Sequence, residues 1–409
     1  MPRIHPTRLL DDLNHLRTFG AEGHGVVRPS LSAADMAARH WLRERMTEAG
    51  LATTIDGVGN VLGRSHQRGR ALLVGSHADT QPQGGWLDGA MGVIYGLEIV
   101  RAFAEDPTTR DFAVDAVAWV DEEGTYLGCL GSRSFCGMLS QADLEAARNA
   151  QGERLTAAID AAGLAGIAPA RLETQRYVGY LEAHIEQGPY LEADRKKIGV
   201  VTSIVGIRGC RIAFRGQQNH AGTTPMPRRK DAGVALIDFG YKLRQAFQAI
   251  AGPQTVWTIG RVSFSPGAAS IIPGEADMIL QYRDPDEARL DTLERTVYDL
   301  ANRANRAGPV EITVTRNRTP IAPTIMHAGL QRHIADAAER HAPGAWVYMP
   351  SAAGHDPMVL SAHLPCAMLF VPSIGGISHD FAEDSHADDI VRGCQVLADA
   401  AAAILSGGT

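Results

Sequence analysis

The chain has 409 residues, 45% of them hydrophobic, and carries 39 Lys+Arg against 46 Asp+Glu for a net charge of −7. That length predicts two or three domains of roughly 150 residues, and the negative balance argues against a nucleic-acid or anionic-membrane partner. No apolar run approaches the ~20 residues of a membrane span, the opening segment MPRIHPTRLLDDLNHLRTFG lacks a signal-peptide core, and five cysteines without a C-x-x-C pair point to a reducing cytoplasm.

In chain order, the first half alternates apolar strand-like runs with amphipathic stretches, the grammar of an α/β sheet flanked by helices. The run 71–74 leads to His77 and Asp79, and a glycine-rich stretch, QPQGGWLDGAMG, then carries Asp88. Taken alone, Asp88 also reads as an N-cap for the helix that follows. The run 112–120 (FAVDAVAWV) leads to Asp121, Glu122 and Glu123, and the run 177–183 (YVGYLEA) to His184 and Glu186. Between about 207 and 319 the order changes to strand CRIAFRG, helix 229–249, strands TVWTIGRVSF and ADMILQYR, helix 285–307 and strand VEITVTR. That is the β-α-β-β-α-β pattern of a small ferredoxin-like domain, inserted into a larger domain made of 1–206 and 320–409. The last apolar run, 366–371 (CAMLFV), leads through PSIGG to His379 and Asp380.

Four strand ends thus carry chemistry-bearing residues, and in open α/β sheets sites form at carboxyl ends of strands. Each residue taken singly is ordinary: the chain has 15 histidines, and an acidic pair such as Glu122-Glu123 is usually a solvated loop. Together, His, Asp and Glu at loop ends are ligands suited to Zn²⁺, Mn²⁺ or Co²⁺. An Asp between two histidine-bearing loops can bridge two metals. Consecutive Glu122 and Glu123 cannot both face one way in extended chain, so one is expected to bind metal and the other to act as general base. Asp79 is expected to orient a ligating histidine rather than to ligate. No G-x-S-x-G elbow, H-E-x-x-H motif, phosphate loop or dinucleotide fingerprint competes with this reading.

Six stretches in order, GSHADTQPQGGWLDGAMGV, DEEG…GSRSFCG, HIEQGPYLE, NHAGTTPMPRRKDA, GHDPM and VPSIGGISHDFAE, resemble the signatures of the N-carbamoyl-L-amino acid hydrolase group. That group includes β-ureidopropionase and allantoate amidohydrolase and is a branch of the two-metal aminoacylase and carboxypeptidase metallopeptidases. The resemblance implies a mixed-sheet, metallopeptidase-like catalytic domain, with 207–319 as a lid and dimerisation domain. It implies two divalent metal ions, zinc first, with manganese, cobalt or nickel as alternatives. His77 and His184 would hold one metal and Glu123 and His379 the other, with Asp88 bridging and Glu122 as base. It further implies His220 as oxyanion stabiliser, in cis or across a homodimer, Gln187 as a substrate contact and Arg283 as clamp on a substrate carboxylate. The implied enzyme is a cytoplasmic amidohydrolase that cleaves the ureido C–N bond of an N-carbamoyl amino acid. The alternative is an aminoacylase or dipeptidase with the same metals. Three features depart from the pattern: Ser270 stands where similar enzymes carry Asn, Thr125 and Tyr126 replace an Arg-aromatic pair, and Trp86 and Leu87 enlarge the metal loop.

Overall fold

The computed structural model describes residues 1–407. After a short hairpin of Ala21–Glu22 and Gly25–Val26, the chain lays down β1 (Ala52–Ile55), β2 (Val61–Arg64), β3 (Ala71–His77), β4 (Val114–Trp119), β5 (Tyr177–Ile185) and β6 (Ile198–Ile204). It then builds β7 (Gly206–Arg215), β8 (Val256–Ser265), β9 (Glu275–Asp284) and β10 (Glu311–Arg316), and returns with β11 (Thr324–Ile325), β12 (Trp346–Ser351) and β13 (Cys366–Val371). Two units result, one formed by the chain up to Thr202 and from Ile325 onward, the other by Ser203–Thr324.

The first unit holds a nine-stranded sheet in the order β11-β6-β13-β5-β3-β4-β2-β1, with β12 paired to β6. The middle four strands, β13, β5, β3 and β4, run parallel, while β6, β2 and β1 pair antiparallel. The sheet is therefore mixed. Its four parallel strands are the four apolar runs read from the sequence, so their carboxyl ends open on one edge. β3, β4 and β13 are buried at every residue and β5 at all but Val178. Strands covered on both faces cannot alternate polar with apolar, which is why they appear as unbroken runs. The helices Ala90–Glu105 and Ala387–Ser406 supply much of that cover, with Ile94, Leu97, Ile390 and Leu397 in the same core as Val74, Leu181 and Leu369.

The second unit follows the β-α-β-β-α-β order, and its sheet runs β8-β9-β7-β10 with every pair antiparallel. Its helices, Ala232–Ile250 and Glu287–Ala307, begin two to three residues later than the sequence suggests. The cause is capping: Asp231 accepts from the N–H groups of Gly233 and Val234, and Asp286 from those of Ala288 and Arg289. A separate core of Phe214, Phe239, Phe247, Leu280, Tyr282 and Leu293 lies between helices and sheet. Among the described residues, no helix is long and apolar enough to cross a membrane.

Candidate metal centre

His77 ends β3, and its ring is held by its neighbours: Nδ1 lies 3.1 Å from the Asp79 carbonyl oxygen and 3.7 Å from Asp79 Oδ1. His184, near the end of β5, places Nδ1 2.9 Å from the Ile185 carbonyl oxygen. A carbonyl only accepts, so the proton sits on Nδ1 and Nε2 is left as a lone-pair donor. Both Nε2 atoms face one oxygen of Asp88, at 3.4 Å from His77 and 2.9 Å from His184 to Oδ1. The other oxygen, Oδ2, is 3.1 Å from Nε2 of His379, which lies 3.7 Å from Glu123 Oε2. Asp88 therefore divides its carboxylate between two clusters, His77-Asp88-His184 and Asp88-Glu123-His379, each with donor atoms within 4.8 Å of one another. The helix-cap reading of Asp88 is not what the structure has: Gly89 is the N-cap of Ala90–Glu105, and no side chain caps that helix.

Two glycines explain the composition of the loop. Gly89 has φ of 65°, and a Cβ there would stand 2.4 Å from the His77 ring. Gly85 has ordinary backbone, but a Cβ there would stand 1.9 Å from Oε1 of Glu383. Both positions are kept bare by a side chain of the centre, and at Gly89 the positive φ adds a second reason for glycine. Backbone strain gathers in the same place. Asp121, Cys129, Gln187 and His379 all have φ between 54° and 57°, a region that costs L-residues about 1–3 kcal/mol each.

The loop after β4 separates its two glutamates. Glu123 is tied by its N–H to Asp79 Oδ2 at 3.2 Å and by its Oε2 to Gln81 Nε2 at 2.7 Å. Glu122 points elsewhere, with Oε2 3.7 Å from His77 Nε2 and Oε1 4.0 Å from the Cys129 thiol. Gln187 Nε2 lies 3.0 Å from Asp88 Oδ2 and 3.3 Å from His379 Nε2, so it sits over the centre.

A pair of cations fits these residues. Three imidazoles and three carboxylates converge, and the buried atoms Glu123 Oε1 and Asp79 Oδ1 have no hydrogen-bond partner. Burial, reinforced by neighbouring carboxylates, pushes Asp121 up to about 6, Asp356 to about 7 and Glu123 to about 8. Burial and then Glu123, Asp356 and Asp79 raise Glu122 well above the usual range, against the pull of His77. Carboxyl groups crowded this way resist ionising without a counter-charge, and divalent cations would supply it.

The remaining residues singled out in the sequence fall in the second unit. His220 lies on a two-residue strand, Asn219–His220, paired with Ile271–Ile272. Its Nδ1 accepts from the N–H groups of Gly222 (3.0 Å) and Thr223 (3.1 Å), and its ring is exposed. That fixes the ring proton on Nε2, a donor facing outward. Ser270 touches this loop through its carbonyl, which accepts from Ala221 N–H at 2.9 Å. Arg283 lies on β9 beside Gln281, whose Oε1 accepts from Nε and Nη2 at 3.2 and 3.1 Å. Burial and nearby Arg318 lower its pKa. In the first unit, Trp86 is 8% exposed beneath the Arg17 guanidinium, 4.3 Å from the ring centroid, so its bulk is spent on the N-terminal segment. Tyr126 reaches outward, its hydroxyl donating to Glu153 Oε2 at 3.0 Å.

Sequence reasoning passed over several residues of the centre. Gln81 and Glu383 were visible only inside longer motifs. Asp356 accepts from Ser132 Oγ at 2.5 Å, and His355 packs edge-on against His184 with centroids 4.6 Å apart. The GHDPM stretch was the signal for the last two.

Two clusters of metal-donor side chains that share Asp88, at the carboxyl ends of parallel strands in an α/β sheet, are what this geometry defines. The chain belongs to peptidase family M20/M25/M40, which it matches over residues 73–403, a family of hydrolases dependent on paired metal ions. It is 34% identical to an N-carbamoyl-L-amino-acid amidohydrolase of Paenarthrobacter aurescens, over 97% of each chain. It is 29% identical to the allantoate amidohydrolase of Escherichia coli (strain K12), over 95% of each. Among solved structures it is similar to an amidase of the hydantoinase/carbamoylase family from Burkholderia phymatum, with a TM-score of 0.95, 51% identity, and coverage of 100% of this chain and 99% of that one.

Proposed function

We propose that this chain hydrolyses the ureido C–N bond of an N-carbamoyl amino acid or related ureido acid, yielding the amino acid, CO₂ and ammonia. The observation that carries the proposal is a pair of donor clusters that share the Asp88 carboxylate, with a further, separately directed glutamate, in a chain similar along nearly its whole length to an N-carbamoyl-L-amino-acid amidohydrolase and an allantoate amidohydrolase. His77 and His184 on one side of Asp88, and Glu123 and His379 on the other, would hold two divalent cations, zinc first and manganese, cobalt or nickel as alternatives. Bound cations would supply Lewis acidity and a water that ionises near neutral pH. Glu122 takes the proton of the attacking water and returns it to the leaving nitrogen. His220, with its proton on Nε2, donates to the developing oxyanion. Arg283 takes the substrate carboxylate, and Gln187 and Ser270 contribute hydrogen bonds to the substrate.

The test is an ammonia assay on paired N-carbamoyl and N-acetyl amino acids, with amino-acid release followed in parallel. Ammonia and amino acid should appear together from the carbamoyl series, with little release from the acetyl series. The reverse preference would assign the chain to the aminoacylase or dipeptidase alternative.

We infer also a cytoplasmic homodimer. β8 lies at the margin of its sheet with Val256, Val262 and Phe264 between 41% and 49% exposed, and Val234, Ile237 and Tyr241 on the helix Ala232–Ile250 are 50–62% exposed. An unpaired strand edge beside an apolar helix face favours pairing with its own copy. Sedimentation should report a particle of two chains, and Ile237→Asp combined with Val262→Asp should reduce it to one.

A further inference from the structure

Glu383 lies outside the proposed ligand set, yet its side chain touches two of the loops that carry it, that of Asp88 and that of His379. It is 2% exposed. Its Oε1 accepts from the backbone N–H of Asp88 at 3.0 Å and of Leu87 at 3.2 Å, and its Oε2 accepts from Ser378 Oγ at 2.8 Å. Ser378 precedes His379, and its hydroxyl oxygen also accepts from Gln187 Nε2 at 3.2 Å. The segment is drawn in by its own backbone as well: Ile374 N–H donates to the Asp384 carbonyl at 2.9 Å, and Glu383 N–H to that of Asp380 at 3.1 Å. On the opposite side, Gly85 leaves the carboxylate the space a Cβ would take.

From this we infer that Glu383 is a positioning residue, a carboxylate clamp that fixes the bridging Asp88 and the His379 loop at the spacing two metals require. The inference rests on the reading of His77, Asp88, Glu123, His184 and His379 as metal ligands. A carboxylate suits the task because one oxygen accepts two backbone N–H groups while the other accepts a hydroxyl, all charge-assisted. The Asp88 loop is otherwise tied at Gly84, which exchanges two backbone hydrogen bonds with Val26, and at Gly89, whose N–H reaches His184 Nε2 at 3.1 Å, so Glu383 supplies the side-chain acceptor for the amides of Leu87 and Asp88 between them. The Asp88 side chain is spent on the histidines, and Gly89 gives the following helix no side-chain cap. Groups that orient ligands without binding metal typically account for 10–100-fold in metal affinity or activity.

The test compares the full chain with Glu383→Ala, Glu383→Gln, Ser378→Ala and Gly85→Ala. Metal affinity is read by competition with a chromogenic chelator, and ligand geometry by the visible spectrum of the cobalt-loaded protein. Glu383→Ala should weaken binding 10- to 100-fold and change the cobalt bands. Glu383→Gln keeps an acceptor for both amides and offers Ser378 a donor, so it should stay within a few fold of wild type. Gly85→Ala, which leaves Glu383 in the sequence but displaces its carboxylate, should reproduce the loss. Wild-type affinity and spectrum in Glu383→Ala overturn the clamp. Should that variant fail to fold by circular dichroism, wild-type behaviour in both Gly85→Ala and Ser378→Ala overturns it instead. A wild-type chain that binds no metal pair overturns the centre itself, and the clamp with it.

Discussion

Glu122→Gln should retain both metals and lose roughly 10²–10⁴-fold in turnover, the usual contribution of a general base. The amide has the shape of the acid but cannot take a proton. Retention of metal is expected because the donor cluster beside His379 includes Glu123 and neither cluster includes Glu122. Glu122 approaches His77 and the Cys129 thiol, whereas its neighbour Glu123 is the one within 3.7 Å of His379 and braced by Gln81. Metal analysis and steady-state kinetics on one preparation decide the matter. Loss of a metal along with activity would exchange the roles proposed for the two glutamates, and full activity would remove Glu122 from the chemistry.

Arg283→Ala should lower kcat/KM for carboxylated ureido substrates by about a hundredfold or more, since two hydrogen bonds to a charged partner contribute about 1.5–3 kcal/mol each. Arg283→Lys should recover only part, because an ammonium cannot reproduce the planar fork. The side chain already displays that fork: Nε and Nη2 both lie within 3.2 Å of the single oxygen Gln281 Oε1. A ureido compound without a carboxylate should lose far less, since it never used the contact. Equal losses on both substrates would make Arg283 structural and remove the main support for a carboxylate-bearing substrate.

The parallel middle of the large sheet was legible because burial on both faces leaves an unbroken apolar signal, and its four carboxyl ends lead to loops whose donor atoms the structure brings together. The margins were not. β1 is ATTI, exposed at two of its four positions, and β2 is VLGR, too short and too polar for a period to emerge. In the second unit the ferredoxin-like order was readable since hairpin strands and amphipathic helices keep their periods, and the errors lay at helix starts, where Asp231 and Asp286 cap. At the centre, residues that stand at strand ends were found, while those that work through a second residue were not. Glu383 and Asp356 act on partners 295 and 224 positions away, and no local pattern encodes such a contact. The glycines of the Asp88 loop are visible in the sequence but their reason is not, because what Gly85 makes room for lies nearly three hundred residues further on.

The position of β13 has a consequence for the order in which the protein is made. It is the last strand of the chain, yet it lies between β5 and β6, parallel to one and antiparallel to the other. While the ribosome is still short of Cys366, the strands already synthesised cannot close into their final sheet. β5 and β6 then present two facing edges with unpaired amides and carbonyls, an arrangement prone to mispairing between nascent chains. His379 emerges after that strand, so the second cluster is completed only when the sheet is. A ribosome stalled before β13 would therefore hold a chain with both of those edges open, and the donor atoms on the two sides of Asp88 can come together only once the segment through His379 has left the ribosome.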